Sequence, residues 1–476
     1  MYTQPVILGA TLLAAHIVAS NPLLPRQTSS NTATVQLGTL RGAPKHLASG
    51  FIYGLPDSPM GQKPDQIPDH FYSDIGFNYG RAGGAQIGAP GRGWIYGLSE
   101  YNVRLKSTLE NYQTARKHGG NFILLPHDLW GTDHANSSTH WPGDNNDWRD
   151  YDAFLDRLFS DLKANDMLGG LVYDIWNEPD ISIFWQRSQQ QWLDLYVRTH
   201  KRIRQDPALA RMLISGPTLA YRPTATNTWW TAWLSAIRGN DTIPDQYAYH
   251  LEGGTTDADN DLQYTNASLA ALLSQHGLPP PRQVNINEYA NSAEQVPAGA
   301  AWWIARLERY DAVGLRGNWM GGCMLHDLFA NLLTRGGGDA QTCAATDYAP
   351  APEYWVYRYY AHNMTGQRAA TAGSGDRVFD VYATVEGGDR GGVVRVLAGA
   401  RVATGTWYVT VGGLQPAAGT VAVRTLAFRG GSSVYAVAGA PQDLGVVRHQ
   451  YSGGEVTLAV QQTDNSTAWA FELTRE

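Results

Sequence analysis

Between residues 48 and 335 the sequence alternates short apolar runs with segments whose apolar residues recur at helical spacing. A run too short for a helix, followed by an amphipathic helix, is one βα unit. A chain that repeats the unit lays its strands parallel and covers them with the helices. Eight runs read as strands: Gly50 to Leu55, Phe77 to Arg81, Phe122 to Pro126, Leu171 to Trp176, Met212 to Gly216, Gln246 to His250, Gln283 to Asn287 and Leu315 to Met320. Eight parallel strands can close on themselves, which removes their unpaired edges. Helical spacing is clearest at Tyr151, Phe154, Leu155, Leu158 and Leu162, and again at Trp192, Leu195, Tyr196, Thr199 and Ile203; a third helix runs from Ala298 to Tyr310. The expectation is an α/β fold, a (β/α)8 TIM barrel over residues 45–364.

Beyond Thr365 the period of the pattern changes to two. Val378 to Val385, Val393 to Leu397, Trp407 to Val411, Val421 to Phe428, Val456 to Val460 and Ala468 to Leu473 are separated by turns such as Gly387-Gly388 and Gly453-Gly454. This is the pattern of an antiparallel β-sandwich, assigned to 365–476. An extended segment at 34–44, with Thr34 to Leu40 inside it, is a candidate further strand of that sandwich.

At the other end, Val6 to Ala19 is an apolar run too short to cross a bilayer, followed by the small residues Val18-Ala19-Ser20. Residues 1–20 read as a signal peptide and 21–33 as a pro-segment or linker. No later stretch reaches membrane-spanning length. Asn-x-Ser/Thr sequons stand at Asn136, Asn240, Asn266, Asn363 and Asn465. Behind a signal peptide they fit a secreted, extracellular glycoprotein, in which Cys323 and Cys343 would form one disulfide; two buried free thiols are the alternative. Only 17% of the 476 residues are charged and the net charge is -7, so no basic surface is offered to nucleic acid or to an anionic membrane. The partner expected is neutral. The 16 Trp and 25 Tyr offer apolar faces with one polar edge, which suits a core and a sugar ring alike.

In a (β/α)8 barrel the reactive groups sit at the C-terminal ends of the strands. The fourth strand runs into Trp176-Asn177-Glu178-Pro179, where the proline ends the pairing and leaves Glu178 at the mouth. Aromatic neighbours there would disfavour the charged carboxylate and raise its pKa toward that of a general acid. The seventh strand ends in Asn287-Glu288-Tyr289, so a second carboxylate faces the first across the mouth. Two such groups are the kit for glycoside hydrolysis, retaining if they stand near 5 Å apart. The plainer reading makes each a helix cap or surface residue. His127 and Asp128, after the third strand, could grip sugar hydroxyls or only hold their loop. The loop Gly131 to Asp147, with Trp141 inside it and Trp130 and Trp148 at its ends, is expected to wall the cleft. Gly88-Ala89-Pro90-Gly91-Arg92-Gly93 lacks the Lys-Ser/Thr ending of a phosphate loop, and His and Asp are too scattered for a metal triad. No cofactor and no metal are expected.

The two strand-end motifs resemble those of clan A glycoside hydrolases, and a barrel followed by a sandwich most resembles family 39; families 5, 30 and 79 share the catalytic pattern. The resemblance implies a secreted enzyme acting on a plant or microbial oligo- or polysaccharide, with Glu178 as acid/base, Glu288 as nucleophile and Asn177 on the sugar 2-hydroxyl. It implies that Arg81 steadies the nucleophile, an ion pair with Asp174 being the alternative. It also implies that His250 lies near the nucleophile and that Trp319 forms an aromatic platform under the sugar. The family's His-x-Tyr pattern stands here as His250-Leu251-Glu252, which leaves the sugar open: Glu252 could bind hydroxyls or point away. A transglycosylase using the same intermediate, or a carbohydrate-binding barrel without catalysis, would carry many of the same features. The sandwich is expected to brace the barrel rather than to bind sugar by itself. Oligomeric state is not legible.

Overall fold

The computed structural model describes residues 30–337, 343, 345–387 and 392–476. The leader and most of the pro-segment expected at the N-terminus lie outside the described residues. The first strand, β1 (Thr32–Leu40), precedes eight short parallel strands that close into a barrel: β2 (Gly50–Ile52), β3 (Tyr79–Ala82), β4 (Asn121–Leu124), β5 (Leu171–Asp174), β6 (Leu213–Leu219), β7 (Gln246–Leu251), β8 (Val284–Tyr289) and β9 (Ala312–Arg316). Each pairs with the next, and closure sets Gly50 opposite Leu315 and Phe51 opposite Arg316. The helices are α1 (Asp69–Asp74), α2 (Leu98–Lys117), α3 (Pro126–Trp130), α4 (Arg149–Ala164), α5 (Gln189–Gln205), α6 (Thr228–Asn240), α7 (Leu262–Gln275), α8 (Pro297–Tyr310) and α9 (Tyr354–His362). Among the described residues, no helix is long and apolar enough to cross a membrane.

Helical spacing in the sequence translates directly into burial. Tyr151, Phe154, Leu155, Leu158 and Leu162 line one face of α4, and Trp192, Leu195, Tyr196, Thr199 and Ile203 one face of α5; all are buried. Start signals are local: the Ser188 side chain accepts from Gln191 N at α5, and the Asp261 side chain from Gln263 N at α7.

The last barrel strand lies earlier than its expected span of Leu315 to Met320. A buried arginine interrupts its apolar pattern: Arg316 is 1% exposed and paired with Glu353, at the start of α9, at 2.5 Å. Trp319 therefore stands in the loop after β9. The loop from Gly131 to Asp147 does not wall the cleft as expected. Trp130 and Trp141 are buried, packed with Trp176 and Trp185 in tilted and edge-to-face pairs with ring centroids 5.0 to 6.5 Å apart, and so become core beneath the fourth strand's end.

A small hairpin, β10 (Leu333–Arg335) with β11 (Tyr348–Pro350), leads to the second sheet. That sheet is made by β12 (Gln367–Ala372), β13 (Phe379–Glu386), β14 (Val393–Ala400), β15 (Gly405–Gly412), β16 (Gly419–Phe428), β17 (Gln442–Tyr451), β18 (Glu455–Gln462) and β19 (Ala468–Arg475), with β1. The order is β17-β16-β19-β14-β13-β12-β1-β15-β18, wrapped as a sandwich around one apolar core. All pairings are antiparallel except that of β1 with β15. Strand β17 escaped the sequence reading because almost every residue in it is exposed, so no alternation marks it.

The sandwich sits on α8. From Pro297 to Glu308 this helix has no exposed residue, the signature of a helix packed on all sides. β14 comes so close that a Cβ on Gly399 would fall 2.2 Å from the Ala298 carbonyl. Asp380 of β13 is buried between Arg306, at 2.7 Å, and Arg309. Glu308 accepts from Tyr360 at 2.5 Å and from Arg368 at 3.1 Å.

Candidate active site

The strand ends bring Glu178 and Glu288 to opposite sides of one imidazole. Nδ1 of His250, in β7, lies 2.7 Å from Glu178 Oε1, and its Nε2 lies 3.5 Å from Glu288 Oε1. Glu178 stands four residues beyond β5 with φ at 40°, a left-handed conformation rare for a residue with a side chain. Its N–H donates to the Thr218 carbonyl at 2.9 Å, and Thr218 in turn donates from its hydroxyl to Asp174 at 2.5 Å. Such backbone strain, on the order of 1–3 kcal/mol, persists where surrounding structure over-determines it.

Arg81 organises the floor. Its side chain is fully buried, and all three of its nitrogens are engaged: Nη1 to Glu288 Oε1 at 2.5 Å, Nη2 to Asp174 at 2.9 Å and Asn177 Oδ1 at 2.6 Å, Nε to Asp174 at 3.2 Å. The two roles weighed for Arg81, steadying Glu288 or pairing with Asp174, are both present. Asn287 Nδ2 adds a further bond to Asp174 at 2.9 Å.

Burial separates the titrations. Desolvation lifts the Glu178 carboxyl to about 7, against the pull of Arg81 and His127. The same cause takes His250 down to about 4, with the charge on Glu288 working the other way. Glu252, just past β7, is driven well above the carboxylate range by burial, then by the charges of Glu288 and Glu178. Glu178, His250 and Glu252 each bring a polar atom within 4.8 Å of the others, and among the described residues no other group of His, Cys, Asp or Glu is so compact. Glu178, His250 and Glu252 also line a cleft of about 580 Å³ that continues past Tyr221 and Arg222.

Several solved glycoside hydrolases share this fold. N2152 from Neocallimastix frontalis superposes with a TM-score of 0.72 at 18% identity, over 94% of this chain and 100% of that one. A monomeric beta-xylosidase from Caulobacter crescentus CB15 gives 0.56 at 13% identity, over 94% and 99%. The GH39 enzyme from Xanthomonas axonopodis pv. citri gives 0.54 at 14%, over 96% and 100%. No protein-family model and no curated protein matches the sequence itself.

The remaining residues singled out from sequence divide into two sets. His127 is buried with its ring 6.0 Å from that of Trp176; Asp128 is buried, 3.0 Å from His127 Nε2, and accepts from the Tyr53 hydroxyl. Asp128 is thus fully engaged inside the protein, while His127 Nδ1 has no partner among the described residues. Trp319 is 49% exposed and donates to the Ala290 carbonyl at 3.1 Å, presenting its ring to solvent. Cys323 and Cys343 are joined as a disulfide in the same loop region. Asn136, Asn240 and Asn465 are exposed; Asn266 and Asn363 are partly so.

Sequence reasoning missed Tyr53, Asp180, Thr218 and Tyr221. Asp180 accepts from Ala220 N at 2.9 Å and Tyr221 N at 3.2 Å, clamping the β6 loop beside Glu178. No motif marks them, although Asp180 stands only two residues after Glu178.

Proposed function

We propose that the chain is a retaining glycoside hydrolase, with Glu178 as acid/base and Glu288 as nucleophile. The observation that carries this is the asymmetry of two strand-end carboxyls sharing one imidazole: burial keeps the first protonated near neutrality, and a buried guanidinium holds the second in place. No described residue donates to Glu288 Oε2, which is left for the anomeric carbon. In the first step that oxygen bonds to the anomeric carbon, the glycosidic C–O bond breaks, and the Glu178 proton goes to the departing oxygen. In the second, Glu178 takes a proton from water, the water oxygen bonds to the anomeric carbon and Glu288 is released. The neutral His250 serves both states, accepting from the Glu178 acid at Nδ1 or, as the other tautomer, donating to its carboxylate.

The substrate class is an oligo- or polysaccharide, and Asn177, His127 and Trp319 are its further contacts. Exposed sequons and the Cys323–Cys343 disulfide support an extracellular setting. The test is a screen of aryl glycosides and plant and microbial polysaccharides, with the anomeric configuration of the first product read by NMR. Glu178→Gln and Glu288→Gln should each lose about a thousandfold or more in kcat. Full activity in either variant, or an inverted product, refutes the assignment. Unchanged turnover with Glu178 and Glu288 both replaced would remove the carboxylate mechanism altogether.

A further inference from the structure

Hydrolysis as proposed uses two carboxyls, yet a third stands in the same pocket. Glu252 follows β7 by one residue, and its side chain reaches across the mouth over the end of β8. Its Oε1 fills the space left by a missing side chain on Gly317, where an added Cβ would lie 2.3 Å away. Gly317 has no left-handed φ that would demand glycine, and its main chain is fixed by bonds to the Tyr289 carbonyl at 2.9 Å and from Gln295 Nε2 at 2.6 Å. The tightest obstacle to a side chain there is the carboxyl itself.

Among the described residues, nothing is hydrogen-bonded to the Glu252 carboxyl, although it lines the cleft and is crowded by Glu178 and His250. Beside it, Nε2 of His250, a residue 1% exposed, is also without a hydrogen-bond partner. Buried polar groups rarely go unsatisfied, and a buried imidazole nitrogen left open in the same pocket as a half-buried, unpaired carboxyl points to a polar ligand. Kept neutral by its surroundings, the Glu252 acid offers one donor and one acceptor, as a sugar hydroxyl does. The cations near this part of the cleft are already committed to carboxylates, Arg81 to Asp174 and Glu288 and Arg222 to Asp257, and His250 is neutral.

We propose that Glu252 determines which sugar is accepted: its carboxyl hydrogen-bonds a hydroxyl of a neutral glycone, and the pocket rejects glycones that carry a carboxylate. This rests on the glycosidase reading and narrows it.

The test measures kcat and KM on neutral aryl glycosides and on the matching uronides, for the wild type, Glu252→Gln, Glu252→Ala, Gly317→Ala and the Glu252→Ala/Gly317→Ala double variant. The wild type should prefer the neutral glycoside by about a hundredfold in kcat/KM. Glu252→Gln, which keeps a donor and an acceptor, should stay within about threefold, and Glu252→Ala should lose about tenfold, mainly through KM. Gly317→Ala pushes the carboxyl aside without altering its chemistry and should reproduce most of that loss, the double variant losing no more than Glu252→Ala. An unchanged KM in Glu252→Ala, a uronide as the best substrate, or fully additive losses would each overturn the proposal. Failure of the glycosidase reading looks different: Glu178→Gln and Glu288→Gln would then keep activity, whatever happens at Glu252.

Discussion

Replacing Glu178 by Gln should stop turnover and, above neutral pH, make the protein more stable. The carboxyl is buried and titrates at about 7 in the fold against an ordinary 4.5. The folded state therefore holds this proton more tightly than the unfolded chain. Stability from this group is present below about 4.5, falls as pH rises, and is lost once pH passes about 7. At pH 8.5 the folded protein bears an ionised, desolvated carboxylate at a cost on the order of 3 kcal/mol. The amide of Gln has no proton to lose and escapes that cost. Its backbone keeps the same left-handed φ, so the strain cancels in the comparison. With an unfolding entropy of about 2.1 cal/mol/K per residue, a chain of this length shifts by roughly 1 °C per kcal/mol, so the variant should melt about 3 °C higher at pH 8.5. At pH 4 both side chains are neutral and the gap should shrink to under about 1 °C. The assay is thermal unfolding of both proteins at the two pH values at one scan rate, alongside turnover. An equal gap at both, or a variant less stable at pH 8.5, would refute the claim that burial sets this carboxyl's titration.

The same titration shapes the rate: kcat/KM on a substrate with a poor leaving group should fall about tenfold per pH unit above about 7, as Glu178 loses its proton, and a flat profile to pH 9 would contradict its role as the acid. Arg81→Met leaves Asp174 and Glu288 facing one another without a guanidinium, and should lower stability by about 3–5 kcal/mol in denaturant unfolding; a loss below about 1 kcal/mol would mean the cluster is not organised by that charge. Removal of residues 365–476 strips the cover from α8 and should give an insoluble barrel, so a soluble, fully active fragment would show that the sandwich is dispensable. Turnover should survive exhaustive dialysis against EDTA, since the proposed chemistry is carried by two carboxyls; loss restored by a divalent cation would instead make Glu178, His250 and Glu252 a metal site.

Much of the site was legible because a barrel places function at a fixed point in each repeat. An apolar run ending in Asn-Glu-Pro or Asn-Glu-Tyr says both where the carboxylate is and which way it faces. What failed to read was of two kinds. Arg316 broke the apolar pattern of its own strand, because a charge can be buried when a partner as distant in sequence as Glu353 satisfies it. The tryptophans of the loop after the third strand looked like cleft walls because a sugar platform and a core have the same composition; only their burial and mutual packing showed them to be core.

Periodicity alone determined that this chain makes eight parallel strands, helices around them and a second sheet, since spacing of apolar residues dictates which faces must leave water. It also put Glu178 and Glu288 at strand ends. Tertiary structure decided what those groups are: the burial that lifts one carboxyl, the guanidinium that holds the other, the imidazole between them, and the third carboxyl that Gly317 makes room for. Protonation depends on solvent and charge in three dimensions, and residues far apart in the chain supply both.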